Sequence, residues 1–92
     1  MDIKQVAKST AKVISSYLTY QAMQIVLAQL SENNPPLAIW LRSFSGQKIL
    51  QDGELYLQAL MEQNQELAFR IMTIREHFMR LSTKIVSIVG NS

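Results

Sequence analysis

The sequence predicts an all-α subunit of four helices, the first and last long and the two between them short, and it does so on three observations. Only three Gly and two Pro occur in 92 residues, and no stretch alternates apolar and polar side chains for long, so strands have no support. From Val13 to Ser31 there are nineteen residues without a charge. Toward the C-terminus, apolar residues recur with the 4,3 spacing of a heptad. The whole chain, 1–92, reads as one domain. A domain this small removes only about 60–65% of its unfolded surface on folding, so it has little with which to cover a charge-free helix. That combination points to an obligate partner.

The first helix is expected over 3–32. Lys4, Lys8 and Lys12 recur every four residues and form one solvated stripe. At 1.5 Å per residue such a helix is about 45 Å long. A compact chain of this length has a gyration radius near ~12 Å, so the molecule is expected to be elongated. Asn33-Asn34-Pro35-Pro36 ends this helix and starts the next, with Asn34 as N-cap and proline in the first turn. The second helix, 35–44, places Leu37, Trp40, Leu41 and Phe44 on one face and ends at Ser45-Gly46. The third, 47–62, carries Ile49, Leu50, Leu57, Leu60 and Met61; Gly53 weakens its start, and Asp52 is an alternative N-cap inside it. Asn64 caps the last helix, 65–89, with Glu66 in its first turn. There Leu67, Ile71, Ile74, Phe78, Leu81, Ile85 and Ile88 form an unbroken seam over three heptads, flanked by a second line of Ala68, Met72, Met79, Val86 and Val89. Two apolar lines imply contact on two sides, one within the chain and one across a dimer; a single-chain bundle core is the alternative.

Composition narrows the function. Apolar content of 48% excludes disorder, and the absence of Cys removes disulfide and thiol chemistry. The net charge of +2 arises from nine basic and seven acidic residues with no basic run, and Arg70, Arg75 and Arg80 spread around their helix, so no nucleic-acid footprint exists. The charge-free stretch has the length of a membrane span but carries four Ser/Thr hydroxyls and three Gln, too polar for a lone one. No apolar leader opens the chain. His77 is the single histidine, no glycine-rich phosphate loop is present, and Asp52 and Glu54 do not share a helix face. The chain is therefore expected to be no enzyme and to hold neither metal nor cofactor.

What remains is surface. At 100° per residue, Tyr17, Tyr20 and Gln24 fall within about 60° of one another, with Thr10 and Ala28 near the same line. Tyrosine offers apolar area with a hydroxyl, which suits an apolar peptide whose backbone needs partners. The alternative is that both tyrosines belong to the core. Ile14, Leu18, Ala22 and Ile25 point elsewhere and are expected to be core. Gln29 and Glu32 lie on a third direction, away from the tyrosines.

Four pieces, in order and at consistent spacing over residues 3–78, add a resemblance: Tyr17-Leu18-Thr19-Tyr20-Gln21-Ala22; Asn34-Pro35-Pro36-Leu37-Ala38 with Trp40-Leu41; Gln51-Asp52-Gly53-Glu54; and Arg70-Ile71-Met72-Thr73-Ile74-Arg75-Glu76-His77. Together they resemble RbcX, the Rubisco assembly chaperone family. The resemblance implies an arc-shaped helical homodimer joined through antiparallel last helices, with Ile71, Ile74, Phe78 and Leu81 in the interface. It implies a central groove for the extended C-terminal tail of the Rubisco large subunit, lined by Tyr17, Tyr20, Leu50 and Gln51. It implies a second, polar contact with the body of the large subunit through Gln29, Glu32, Asn34 and Arg70. The implied mechanism is clamping without ATP: the dimer holds large subunits, promotes their octameric core, and is displaced by small subunits. Relatives continue past Gly90-Asn91-Ser92 with a charged tail. The expected location is a cyanobacterial cytoplasm, with carboxysome association, or alternatively the chloroplast stroma. Against this stands a second reading, a structural helical protein whose charge-free helix is buried in a larger complex.

Overall fold

The computed structural model describes residues 3–46 and 48–90, and the side-chain surroundings of 10–46 and 48–84. Among the described residues all regular structure is helical: α1 Ile3–Asn33, α2 Pro35–Ser45, α3 Lys48–Gln51, α4 Gly53–Gln63 and α5 Gln65–Gly90. None of these helices is long and apolar enough to cross a membrane. α1 is the spine, packing against all four others. Its 31 residues match the longest dimension of the molecule, which measures 46 × 30 × 18 Å with a gyration radius of 14.9 Å. The expected elongation is present.

The junctions are made by capping side chains. Asn34 Oδ1 accepts from the Leu37 amide, a long bond at 3.4 Å, while its own amide donates to Leu30 O at 2.7 Å. Asn64 does the same for α5, accepting from the Leu67 amide at 3.1 Å and donating to Leu60 O at 2.7 Å. Each residue thus closes one helix and opens the next, satisfying orphan groups on both sides. Gly46 closes α2 with φ +45°, the left-handed region that glycine enters without a Cβ penalty.

The segment expected as one helix over 47–62 is two. Asp52 interrupts it in an extended conformation, φ −158° and ψ 99°, and its Oδ1 accepts from the amides of Glu54 and Leu55, each at 3.1 Å. Of the two arrangements the sequence permits here, the chain uses the Asp52 cap. The Leu55 amide most of all, with the Lys12 ammonium at 3.3 Å and the Glu54 amide, holds the Asp52 carboxyl below its ordinary range, against an opposing push from partial burial. A carboxyl with a depressed folded value contributes stability that is full above its unfolded pKa of about 3.9 and is lost as pH falls through the folded value. Asp52→Asn keeps a capping oxygen but removes the charge. Denaturant melts between about pH 5 and about pH 2 should therefore show a shallower loss of stability in the variant than in the parent; parallel slopes would mean the charge at Asp52 is not linked to folding.

The core gathers Ala22, Val26 and Leu30 of α1, Leu41 of α2, Ile49 of α3, Leu60 of α4, and Leu67 and Ile71 of α5, with their buried neighbours. Trp40 and Phe44 stack at 5.2 Å on its edge, and Phe44 meets Tyr56 at 5.8 Å. The Tyr56 hydroxyl is buried against Ser45 Oγ; burial pushes its phenol above the ordinary value, and the hydrogen bond pulls the other way.

Of the four α1 residues expected in the core, only Ala22 belongs to it. Ile14 is 52% exposed and Ile25 is 37% exposed, whereas Ala22 is buried and Leu18 half-buried. The reason is that the inward positions of this half of α1 belong to hydroxyls. Ser16 and Thr19 are buried there, and Ile14 and Ile25 are carried to the opposite side. The heptad seam also changes character along α5. Leu67 and Ile71 are buried, Ile74 and Phe78 half-buried, and Leu81 exposed. The cover that the rest of the chain gives the seam ends before the seam does; Ile85 and Ile88 lie outside the residues whose side chains are described.

Candidate functional site

A polar bracket sets how α1 faces the other helices. The Gly53 amide, at the start of α4, donates to Ser16 Oγ at 3.0 Å. Thr19 Oγ1 donates to Ser15 O at 2.7 Å and accepts from Arg75 Nη1 of α5 at 3.2 Å. Arg75, its side chain only 13% exposed, also pairs with Glu54 of α4, and Ser15 Oγ donates to the same carboxylate oxygen at 3.3 Å. Buried hydroxyls and a largely buried guanidinium are tolerable because each finds a partner; among the described residues no buried side-chain polar atom is left without one.

With Ser16 and Thr19 held inward, the tyrosines between and beyond them are turned outward. Tyr17 is 55% exposed, and Tyr20 is half-buried, leaning on the core with one side open. Gln24 is exposed on the same face. α3 packs against α1, held by buried Ile49, and presents Leu50, 53% exposed, and Gln51, also exposed. Three of the four residues expected to line a groove are therefore exposed in the single chain and the fourth, Tyr20, is half-buried; they stand on two helices in contact. A crevice of about 400 Å³ begins at Tyr20 and continues between α1 and the end of α2.

The second expected set divides. Arg70 Nη2 donates to Gln29 Oε1 at 2.5 Å, so the structure joins these two across α5 and α1. Glu32 is exposed nearby in sequence, and Asn34 spends its side-chain oxygen on the α2 cap. A shallow apolar crevice of about 380 Å³ adjoins Arg70, lined by Glu66, Phe69, Thr73 and Ile74. Phe69, half exposed, is absent from every set that the sequence suggests. The one available signal is that it is a large aromatic lying off both apolar lines of its helix.

Of the residues expected in a dimer interface, Ile71 is fully buried within its own chain and offers no area to a second one. Ile74, Phe78 and Leu81 do, together with half-buried Met72 and Met79. His77 is exposed and lies beside the Phe78 ring at 6.3 Å. Among the described residues no three His, Asp or Glu side chains converge as metal ligands.

Comparison with known proteins identifies the family and its helical fold. The family model described as RbcX protein matches residues 1–88. A protein of Anabaena sp. named RuBisCO chaperone RbcX is 60% identical over 77 residues, covering 84% of this chain and 56% of its own length. One of the same name from Thermosynechococcus vestitus is 49% identical over 81 residues, covering 88% of this chain and 64% of its own. This chain thus spans a little over half the length of the curated relatives it matches. A crystal structure of RbcX in complex with substrate superposes with a TM-score of 0.78 at 44% identity, over 99% of this chain and 86% of that one. A family match over nearly every residue, close relatives of one name and the same helical architecture leave a single assignment: the chain belongs to the RbcX family.

Proposed function

We propose that this chain acts as a Rubisco assembly chaperone that recognises an extended peptide, the C-terminal tail of the Rubisco large subunit. The observation that carries the reading is the exposure of Tyr17, Leu50 and Gln51, with Tyr20 half-buried, on α1 and α3, two helices in contact. Apolar rings with hydroxyls and an adjacent amide can cover an aromatic side chain and still serve its backbone. Two copies of the chain paired through antiparallel α5 helices, using Ile74, Phe78 and Leu81, would set two such faces around one central groove and give an arc-shaped dimer. Gln29, Glu32, Asn34 and Arg70, toward the other end of α1, form the contact with the body of the large subunit. The Gln29–Arg70 bond supports this by presenting both groups as one rigid polar unit.

The action is binding, not catalysis, and it uses no ATP or cofactor. The dimer holds large subunits in a geometry that favours their octameric core, and small subunits displace it. The relatives' names as RuBisCO chaperones support the client and the cyanobacterial cytoplasm as its setting. The alternative of a purely structural role in a larger complex would gain if both tyrosines were covered within one chain, and Tyr17 is 55% exposed.

Calorimetric titration with a synthetic peptide of that C-terminal tail tests the proposal. Saturation at one peptide per dimer is expected, with Tyr17→Ala and Tyr20→Ala each weakening it by about 30-fold or more, the effect of losing an aromatic anchor. Both variants should remain dimeric, because neither side chain is in the α5 seam. A folded dimer that gives no heat with the peptide would sink the groove reading.

A further inference from the structure

Arg42 stands apart from the other arginines of the chain. Arg70 is bonded to Gln29, Arg75 to Glu54 and Thr19, and Arg80 to Glu76. Arg42 is exposed on the last turn of α2, and among the described residues no carboxylate reaches it. It lines two successive crevices between α1 and α2. The larger, about 400 Å³, runs from Tyr20 past Gln24 and Leu27 to Arg42 and Gly46. The smaller, about 130 Å³, continues from Arg42 past Ile39 to Ser31. One trough therefore starts at Tyr20 and has a guanidinium partway along it.

We propose that this trough is a subsite for a carboxylate carried by the same extended peptide that rests on Tyr20, with Arg42 as the counter-charge. The inference rests on the peptide-binding reading above and adds a specificity element to it. A basic side chain in the last turn of α2 is explained in part by the helix dipole. The dipole does not explain why the trough opens on both sides of that side chain or why one end of it is Tyr20. A single guanidinium matches a carboxylate fork to fork, whereas a phosphate with nearly two charges calls for a cluster of cations, and Arg42 is the one cation along this trough among the described residues. Gln24 offers amide hydrogen bonds beside it, suited to a peptide backbone.

The test uses the full chain and the C-terminal peptide of the Rubisco large subunit, with a set of peptide copies in which each carboxylate in turn, the terminal one included, is replaced by its amide. Binding is followed by calorimetry. Against the parent protein, one copy should bind about fivefold more weakly, as expected for a solvent-accessible charge pair with good geometry. Against Arg42→Gln that copy and the unmodified peptide should bind alike, and Arg42→Lys should recover part of the difference. If Arg42→Gln binds every peptide as the parent does, or weakens all of them in proportion, the subsite is overturned while the groove stands. If no peptide binds the folded parent, the groove reading and the subsite fall together. Unchanged thermal melts of both Arg42 variants separate these results from misfolding.

Discussion

Gly53→Val is expected to destabilise the protein by about 3 kcal/mol, a large part of the stability of a small domain. Gly53 is the first residue of α4, where replacing glycine ordinarily gains up to about 1 kcal/mol by restricting the unfolded chain. Here α4 starts against α1. A Cβ on Gly53 would stand 3.0 Å from Ser16 Cα and 3.1 Å from Thr19 Oγ1. The first is backbone in the middle of a 31-residue helix, and the second is fixed by its bonds to Ser15 O and Arg75. Neither can move aside alone. The Gly53 amide would also draw away from Ser16 Oγ, leaving a buried donor and acceptor apart. Urea denaturation should rank the parent above Gly53→Ala and Gly53→Ala above Gly53→Val. An alanine variant more stable than the parent would mean that α4 has room to spare. Because Tyr17 and Tyr20 flank the same turn of α1, a folded Gly53→Ala protein should also bind the peptide less tightly.

The second large effect separates the two ends of the α5 seam. Ile71→Ala is expected to cost about 3–4 kcal/mol of folding stability, since the side chain is fully buried and its removal leaves a cavity. Leu81→Ala, at a side chain 44% exposed in the single chain, should leave the unfolding of the isolated protomer nearly unchanged. In the proposed dimer its apolar area is covered, so the same substitution should raise the dimer dissociation constant by about tenfold or more. Sedimentation equilibrium reads the second effect and chemical denaturation the first. Unaltered association of Leu81→Ala would remove this stretch of α5 from the interface and send the search for a dimer contact to Phe69 and Met72.

The contrast shows what a sequence can and cannot say here. Helix ends at Asn34 and Asn64 are readable because a capping residue is a local device, and both residues cap in the structure. The break at Asp52 is visible only as an alternative, since a continuous helix is equally consistent with the local sequence; packing of α4 against α1 selects the cap. The heptad of α5 announces an apolar line without saying where the rest of the chain stops covering it, because periodicity carries direction and no depth. The bracket of Ser15, Ser16, Thr19, Glu54 and Arg75 is illegible. Its members are common polar residues, spread over some sixty positions, that mean something only once three helices meet. That is also why Ile14 and Ile25 lie outside the core that hydropathy predicts for them: a hydrogen-bonded network outweighs it. The angular grouping of Tyr17 and Tyr20 follows from helix geometry, whereas Leu50 and Gln51 enter only through the family resemblance.

From α1 to α5 each helix follows the last with no more than two residues between them. Among the described residues of that span there is no lid to close over a ligand and no long loop to order around one. The proposed recognition surface would then exist before the encounter, with little conformational entropy to lose on binding. In the proposed function a peptide on α1 and α3 would be held by its contacts alone, with no closing segment to slow its departure. For the proposed chaperone, whose task would end when another protein takes its place, a surface that cannot shut is a means of letting go.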